Sequence, residues 1–298
     1  MFKLNSLLVN WLLLICLIIL WGTSFMFTAV SVETVSPYSI VFFRVLIGAL
    51  ILTVAVYANG LKLPFTIKAW AIFILLGAIG NLLPFFLIAW GQQSIDSGIA
   101  GMIMATMPLI TMILAHYFVP GETLNRYKIT GFLLGIGGIT ILLGPVFEGN
   151  NRTMLSGIAI FIAATSYAFN TILVRRLPRF NPLIAGAGVL IAASITMFPV
   201  WLSSHQFAYS QVSLKSLISV IWLGIGPTGI ATIILFYVIE RAGPTFLSTI
   251  NYLIPVVAFF CGVIILSEPV NSSSIFALII ILCGIALTRY RASHLARP

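Results

Sequence analysis

Residues 98–122 read GIAGMIMATMPLITMILAHYFVPGE, and residues 245–268 read TFLSTINYLIPVVAFFCGVIILSE. Each is an apolar run with a proline near its middle and a glutamate at its end. Aligning Pro108 with Pro255 also matches Gly77 with Gly224 and Trp90 with Tyr237, all at one spacing. After the prolines one residue drops out, so that Glu122 matches Glu268 and Gly138 matches Gly284. The chain therefore reads as a tandem duplication of a unit of about 145 residues.

The solvent for both copies is lipid. Apolar residues make up 60% of the chain and charged residues 7%, where a soluble domain carries about 25% charged residues. Spanning helices need about 20 mostly apolar residues, and ten such runs can be drawn: 8–30, 38–58, 69–90, 98–118, 128–146, 154–174, 183–202, 216–238, 245–266 and 273–290. They lack strict alternation and are about twice the length of a barrel strand, so helices are expected. The first run is longer than the apolar core of a signal peptide and is read as a retained span. Cys16, Cys261 and Cys283 each lie inside an apolar run and form no CxxC pair, which suits buried small hydrophobes.

Ten spans place both termini on one side. If that side is the cytoplasm, Lys3, Lys62, Lys68, Arg126, Lys128, Arg175, Arg176, Arg179, Arg241, Arg289, Arg291 and Arg297 are inside, while only Arg152 and Lys215 are outside. Arg44 falls within a span. This bias follows the positive-inside rule. The net charge of +9 is spread over several cytoplasmic segments, which suits anionic headgroups and gives no nucleic-acid surface.

Five spans per copy is an odd number, so the second copy enters the membrane upside down. The expected fold is all-α and integral to the membrane: ten transmembrane helices as two inverted-topology five-helix repeats, residues 1–147 and 148–298. Such repeats are the architecture of many secondary transporters, with the solute site near the midplane where helices are broken. Pro108 and Pro255 each remove a helical N–H within a span. They read either as packed kinks or as helix breaks used in gating.

The stretches LWGTSF (20–25), SPYSIVFFRVLIGALIL (36–52), SIDSGIAGMIMATMPLIT (94–111), GETLNRYKITGFLLGIGGITILLGP (121–145) and NYLIPVVAFFCGVIILSEPV (251–270) together resemble the EamA-type transporters of the drug/metabolite transporter superfamily. The resemblance covers nearly the whole chain. It implies a ten-span bundle with cytoplasmic termini, in which spans one, three, four, six, eight and nine surround a cavity. It also implies carriage of small metabolites across the cell inner membrane, often as amino-acid export. Metabolite uptake, drug efflux or a lipid-translocating or non-transporting bundle are the alternatives.

Polar groups within hydrocarbon face a cavity or another helix. On that basis Trp21, Ser24, Asn81, Trp90, Met104, Tyr167, Asn170, Thr228, Tyr237 and Asn251 are candidates for the cavity lining. Any Ser or Thr among them can instead bond back to its own helix, and Trp90, Tyr237 and Trp201 also suit an interfacial belt. Arg44 has two readings: structural pairing with carbonyls or Glu33, or gating and carboxylate binding. Its place matches an arginine common near the start of span two in the resembled family. Glu122 and Glu268 are expected to cap the helix that comes after each. Gly131, Gly135 and Gly138, like Gly98, Gly101 and Ala105, are expected to let helices approach closely.

The spans hold no Asp or Glu, and His116 lies near a span end, so proton coupling has no obvious carrier. GxxxxGK[ST], HExxH and GxSxG are all missing. No ATPase subunit, metal or cofactor is implied, and an enzyme is not expected. The implied partners are a small solute and the bilayer; oligomeric state is left open.

Overall fold

A computed structural model describes residues 6–148, 151–204 and 212–289. Lys3, Arg291 and Arg297, which contribute to the inside charge bias, lie outside them. The order is α1 (Ser6–Val32), α2 (Pro37–Ala58), α3 (Ile67–Gly77), a π-helical stretch Ala78–Leu82, α4 (Leu83–Gly91), α5 (Ser97–Met104), α6 (Met107–Phe118) and α7 (Arg126–Glu148). Then come α8 (Asn151–Arg176), α9 (Pro182–Ser203), α10 (Leu214–Leu223), a second π-helical stretch Gly224–Ile230, α11 (Ala231–Leu247), α12 (Ile250–Ile265) and α13 (Ser272–Arg289). Among the described residues there is no strand.

Eight helical segments are long and apolar enough to cross a membrane, and Ile250–Ile265 and Ser272–Thr288 are shorter apolar helices. The shortfall in the ninth run has a local cause. Gly243 leaves helical geometry (φ 81°, ψ 166°), and a turn at Ser248–Thr249 separates α11 from α12. Apolar side chains such as Leu50, Val54, Ile195, Ile264 and Phe276 stay exposed around the bundle. In water such a surface would aggregate, whereas lipid solvates it.

Packing follows the duplication. Helix α7 lies along α13, α5 along α12, and α2 along α9. Helix α1 packs on α12, as α8 packs on α6, and α1 packs on α10 and α11, as α8 packs on α4. When both members move five runs along the chain, the first three pairs return to themselves and the others become one another. Small residues permit the closest of these contacts. A Cβ on Gly131 would lie 2.5 Å from Gly284 O, and one on Gly138 would lie 2.7 Å from Ile281 Cγ1. Gly98 and Gly101 likewise face Phe259 and Ala258 of α12. The largest core cluster, including Phe25, Met102, Ile103, Leu109, Ile160 and Phe259, joins spans of both halves.

Candidate functional site

The two π-helical stretches occupy matching places in the two copies, and Asn81 and Thr228 are equivalent residues within them. Proline explains each widening. Pro227 has no N–H to give to Leu223 O, and the Thr228 hydroxyl donates to that carbonyl instead, at 2.8 Å. Pro84 leaves Gly80 O without its helical donor in the same way. The chain then runs on in π register, with Leu83 N bonded to Ala78 O and Ala231 N to Gly226 O. Each stretch is also held from across the bundle. Trp21 Nε1 donates to Pro227 O at 2.9 Å, and Ser166 Oγ donates to Ile79 O at 2.6 Å.

Around the second stretch three more candidate residues, Arg44, Thr228 and Tyr167, join Trp21. Arg44 on α2 is only 8% exposed. Its Nε donates to Thr228 Oγ1 at 2.9 Å, and its guanidinium lies over the Phe85 ring, 3.8 Å from the centroid. Phe85 in turn meets Tyr167 of α8, with centroids 6.5 Å apart. Among the described residues neither Glu33 nor a backbone carbonyl is bonded to Arg44, and its described hydrogen bond goes to a side chain instead. Near the first stretch, the Asn170 amide sits against Gly80, and its buried Oδ1 has no hydrogen-bond partner among the described residues.

The other candidates are more scattered. Ser24 is buried and back-bonded to Trp21 O at 2.6 Å. Met104 ends α5, Asn251 opens α12, and Trp90 lies near the end of α4; all three are half-buried. Tyr237 is 57% exposed on the surface of α11. Pro108 does not sit at the centre of a kink: the helix has already turned at Ala105–Thr106, and Pro108 lies in the first turn of α6, where a missing N–H costs little. Pro255 lies deeper inside α12, below the turn at Ser248–Thr249.

Glu268 does not cap the helix that comes after it. Its carboxylate reaches across to α5 and accepts from Ser97 N at 2.7 Å, Ser97 Oγ at 2.6 Å and Gly98 N at 3.0 Å. These are charge-assisted bonds at the positive end of a helix. Asp96 holds the N-cap position of α5 but makes no side-chain cap bond, because Glu268 takes the free amides. Ser267 adopts φ +56°, an uncommon left-handed conformation for a residue with a side chain, just before the carboxylate. Gly262 leaves room, since a Cβ there would collide with Glu268 Oε2. Partial burial, and then the charge of Glu268, push the Asp96 carboxyl above its usual range. A cavity of about 170 Å³ lies beside it, lined among others by Ser94, Ile95, Asp96, Ile99, Leu142 and Asn271.

The equivalent acid in the first copy behaves differently. Glu122 is 41% exposed and pairs with Lys128 Nζ and Arg175 NH1, both at 3.5 Å. Among the described residues its carboxylate has no other partner. The Phe118 carbonyl at this end accepts from Arg176. Sequence reading missed Phe85, Pro84, Pro227 and the Glu268–α5 contact. The prolines are visible in the sequence, but each lies in an unbroken apolar run, and the two glutamate partners are far away in the chain.

The model of the EamA-like transporter family matches residues 9–144 and again 154–290. The inner membrane transporter YedA of Escherichia coli, described as uncharacterized, is 27% identical over 278 residues, covering 92% of this chain and 88% of its own. The uncharacterized transporter YoaV of Bacillus subtilis is 21% identical over 286 residues, covering 94% and 97%. A solved crystal structure shares the fold at a TM-score of 0.69 and 22% identity, covering 97% of this chain and 99% of its own. Two matches to one family model fill nearly the whole chain, and the chain is a multi-pass membrane protein belonging to the EamA-like transporter family.

Proposed function

We propose that this protein is a secondary carrier that exports amino acids or related small metabolites across the bacterial inner membrane by alternating access. In this reading the chain forms ten spans as two inverted repeats, residues 1–147 and 148–298, with both termini in the cytoplasm. The solute path runs past the two π-helical stretches and is lined by residues drawn from Trp21, Asn81, Tyr167, Asn170 and Thr228.

The observation that carries the reading is the inequality of two sequence-equivalent acids. Glu268 is latched onto the start of α5, while Glu122 is held by Lys128 and Arg175 instead. Two similar units in unlike states are what a carrier closed at one end requires, and exchanging those states would open the other end. The exchanging packing pairs support the same reading, since they leave an equivalent partner available to each helix in either state. Family membership supplies transport as the activity.

The test is counterflow in liposomes with a panel of radiolabelled amino acids, with and without a pH gradient. An Asn81→Ala, Asn251→Ala double variant is run beside the natural protein. Accumulation of a labelled amino acid that the double variant loses supports the reading. No counterflow with any amino acid overturns the amino-acid assignment. A rate that follows the pH gradient would show coupling, although the one acid within a span, Glu240, lies near the end of Leu214–Gly243.

A further inference from the structure

We propose that Arg44 is the anion-binding residue of the solute path, and that the transported compound bears a single carboxylate. This rests on the transport reading above and narrows it.

A guanidinium stays charged under all ordinary conditions, and an unpaired charge within a bilayer is costly. Arg44 sits about two turns into the apolar helix α2 at 8% exposure. The acids of the chain are Glu33, Asp96, Glu122, Glu148, Glu240 and Glu268; only Glu240 falls inside a spanning helix of the fold, exposed near the end of Leu214–Gly243 and not paired with Arg44. The described ion pairs involve Glu122 alone, with Lys128 and Arg175. The described residues thus supply Arg44 with no counter-charge.

It does fix the group in place. The Thr228 hydroxyl spends its proton on Leu223 O and so presents only lone pairs to Arg44 Nε. The Phe85 ring covers one face of the guanidinium. Of the five N–H donors, one is used. The four on the two terminal nitrogens have no acceptor among the described residues. They form the edge that a carboxylate meets with two parallel hydrogen bonds. The environment is aromatic and neutral, which strengthens such a pair relative to water.

The charge count sets the ligand class. Among the described residues Arg44 is the one basic residue set more than a turn inside both ends of its span. One positive charge balances a monocarboxylate; a doubly charged phosphate would be left with an unpaired negative charge in the membrane. The rest of the solute meets no acid. A neighbouring amine would find neutral acceptors, of which the unpartnered Oδ1 of Asn170 is one.

The test pairs acids with their amides. Purified protein in detergent is melted with L-leucine against L-leucinamide, L-phenylalanine against L-phenylalaninamide, pyruvate, and inorganic phosphate; the same probes compete in counterflow. At least one carboxylate is expected to raise the melting temperature and to compete, with its amide weaker by about tenfold or more. Arg44→Gln should abolish the difference between acid and amide, and Arg44→Lys should keep part of it. Thr228→Val, which frees the fork without removing its charge, should weaken carboxylate binding; it also leaves Leu223 O and Arg44 Nε unpaired, so its ligand-free melting temperature should fall and its effect is read as the loss of acid-over-amide preference. That variant keeps the test open should Arg44→Gln fail to fold. Equal responses to acid and amide, or acid discrimination that survives Arg44→Gln, overturn the proposal. So does stabilisation by phosphate alone. Counterflow of a neutral solute overturns this proposal and leaves transport standing; no response to any probe in either assay counts against both.

Discussion

The carboxylate of Glu268 shows how much one residue settles at the end of this bundle. Three donors from α5 meet it, and removing its charge leaves those donors weakly paired. Glu268→Gln is expected to lower stability by about 1–3 kcal/mol, measured by thermal unfolding in detergent. It should also make a cysteine placed at Ile99 react faster with a water-soluble maleimide. Unchanged labelling would mean that the contact closes nothing. Asp96 adds a pH dependence to the same end. Its folded pKa is raised by partial burial and then by Glu268, so the latched form binds more protons than the unfolded chain. Stability from this group is present at low pH and is lost as pH rises from the ordinary carboxylate value, about 3.9, through the raised one. Asp96→Asn should flatten that slope and raise the melting temperature at neutral pH. A slope that survives in Asp96→Asn would assign the titration elsewhere.

At the scale of elements, the runs of the sequence and the helices of the fold agree closely. The run at 98–118 became Ser97–Phe118 and that at 154–174 became Asn151–Arg176. Length and hydropathy decide where a chain enters and leaves lipid, and both are local properties. Where a span breaks is not local. The interruptions fall at Ala105–Thr106 and Ser248–Thr249, before Pro108 and Pro255 rather than on them. The π-helical stretches needed Pro84 and Pro227 together with donors from Ser166 and Trp21, which no sequence window contains. The glycines of α7 were legible as a contact face, and α13 proved to be the partner. Gly138→Val should cost about 1–3 kcal/mol through overpacking against Ile281 and the Ala277 carbonyl, read as a lower melting temperature. Gly243 lies in a region of backbone space open almost only to glycine. Gly243→Ala should therefore lower stability by about 1–3 kcal/mol, whereas Gly137→Ala, with open space around it, should change it little. Equal costs at the two positions would deny Gly243 its special role at the junction before α12.

For the molecule as a whole, duplication is the organising fact, and it was legible from two prolines and two glutamates. The candidate site was legible only in part. Polarity within apolar runs pointed to Trp21, Arg44, Tyr167 and Thr228, which the fold brings together around one π-helical stretch. The same criterion also picked Tyr237, which faces outward, because polarity does not say which side of a helix a residue takes. What the duplication is for is the central claim: two like units exchange states, so that one end opens as the other closes. Paired spin labels in liposomes test this most directly, after replacement of Cys16, Cys261 and Cys283. One pair, at Gln93 and Val270, spans the Glu268 end; the other, at Thr123 and Glu240, spans the Glu122 end. Solute should lengthen the distances of one pair and shorten those of the other, in the same sample and at the same concentration. Both distances moving together, or neither moving while counterflow proceeds, would contradict the account.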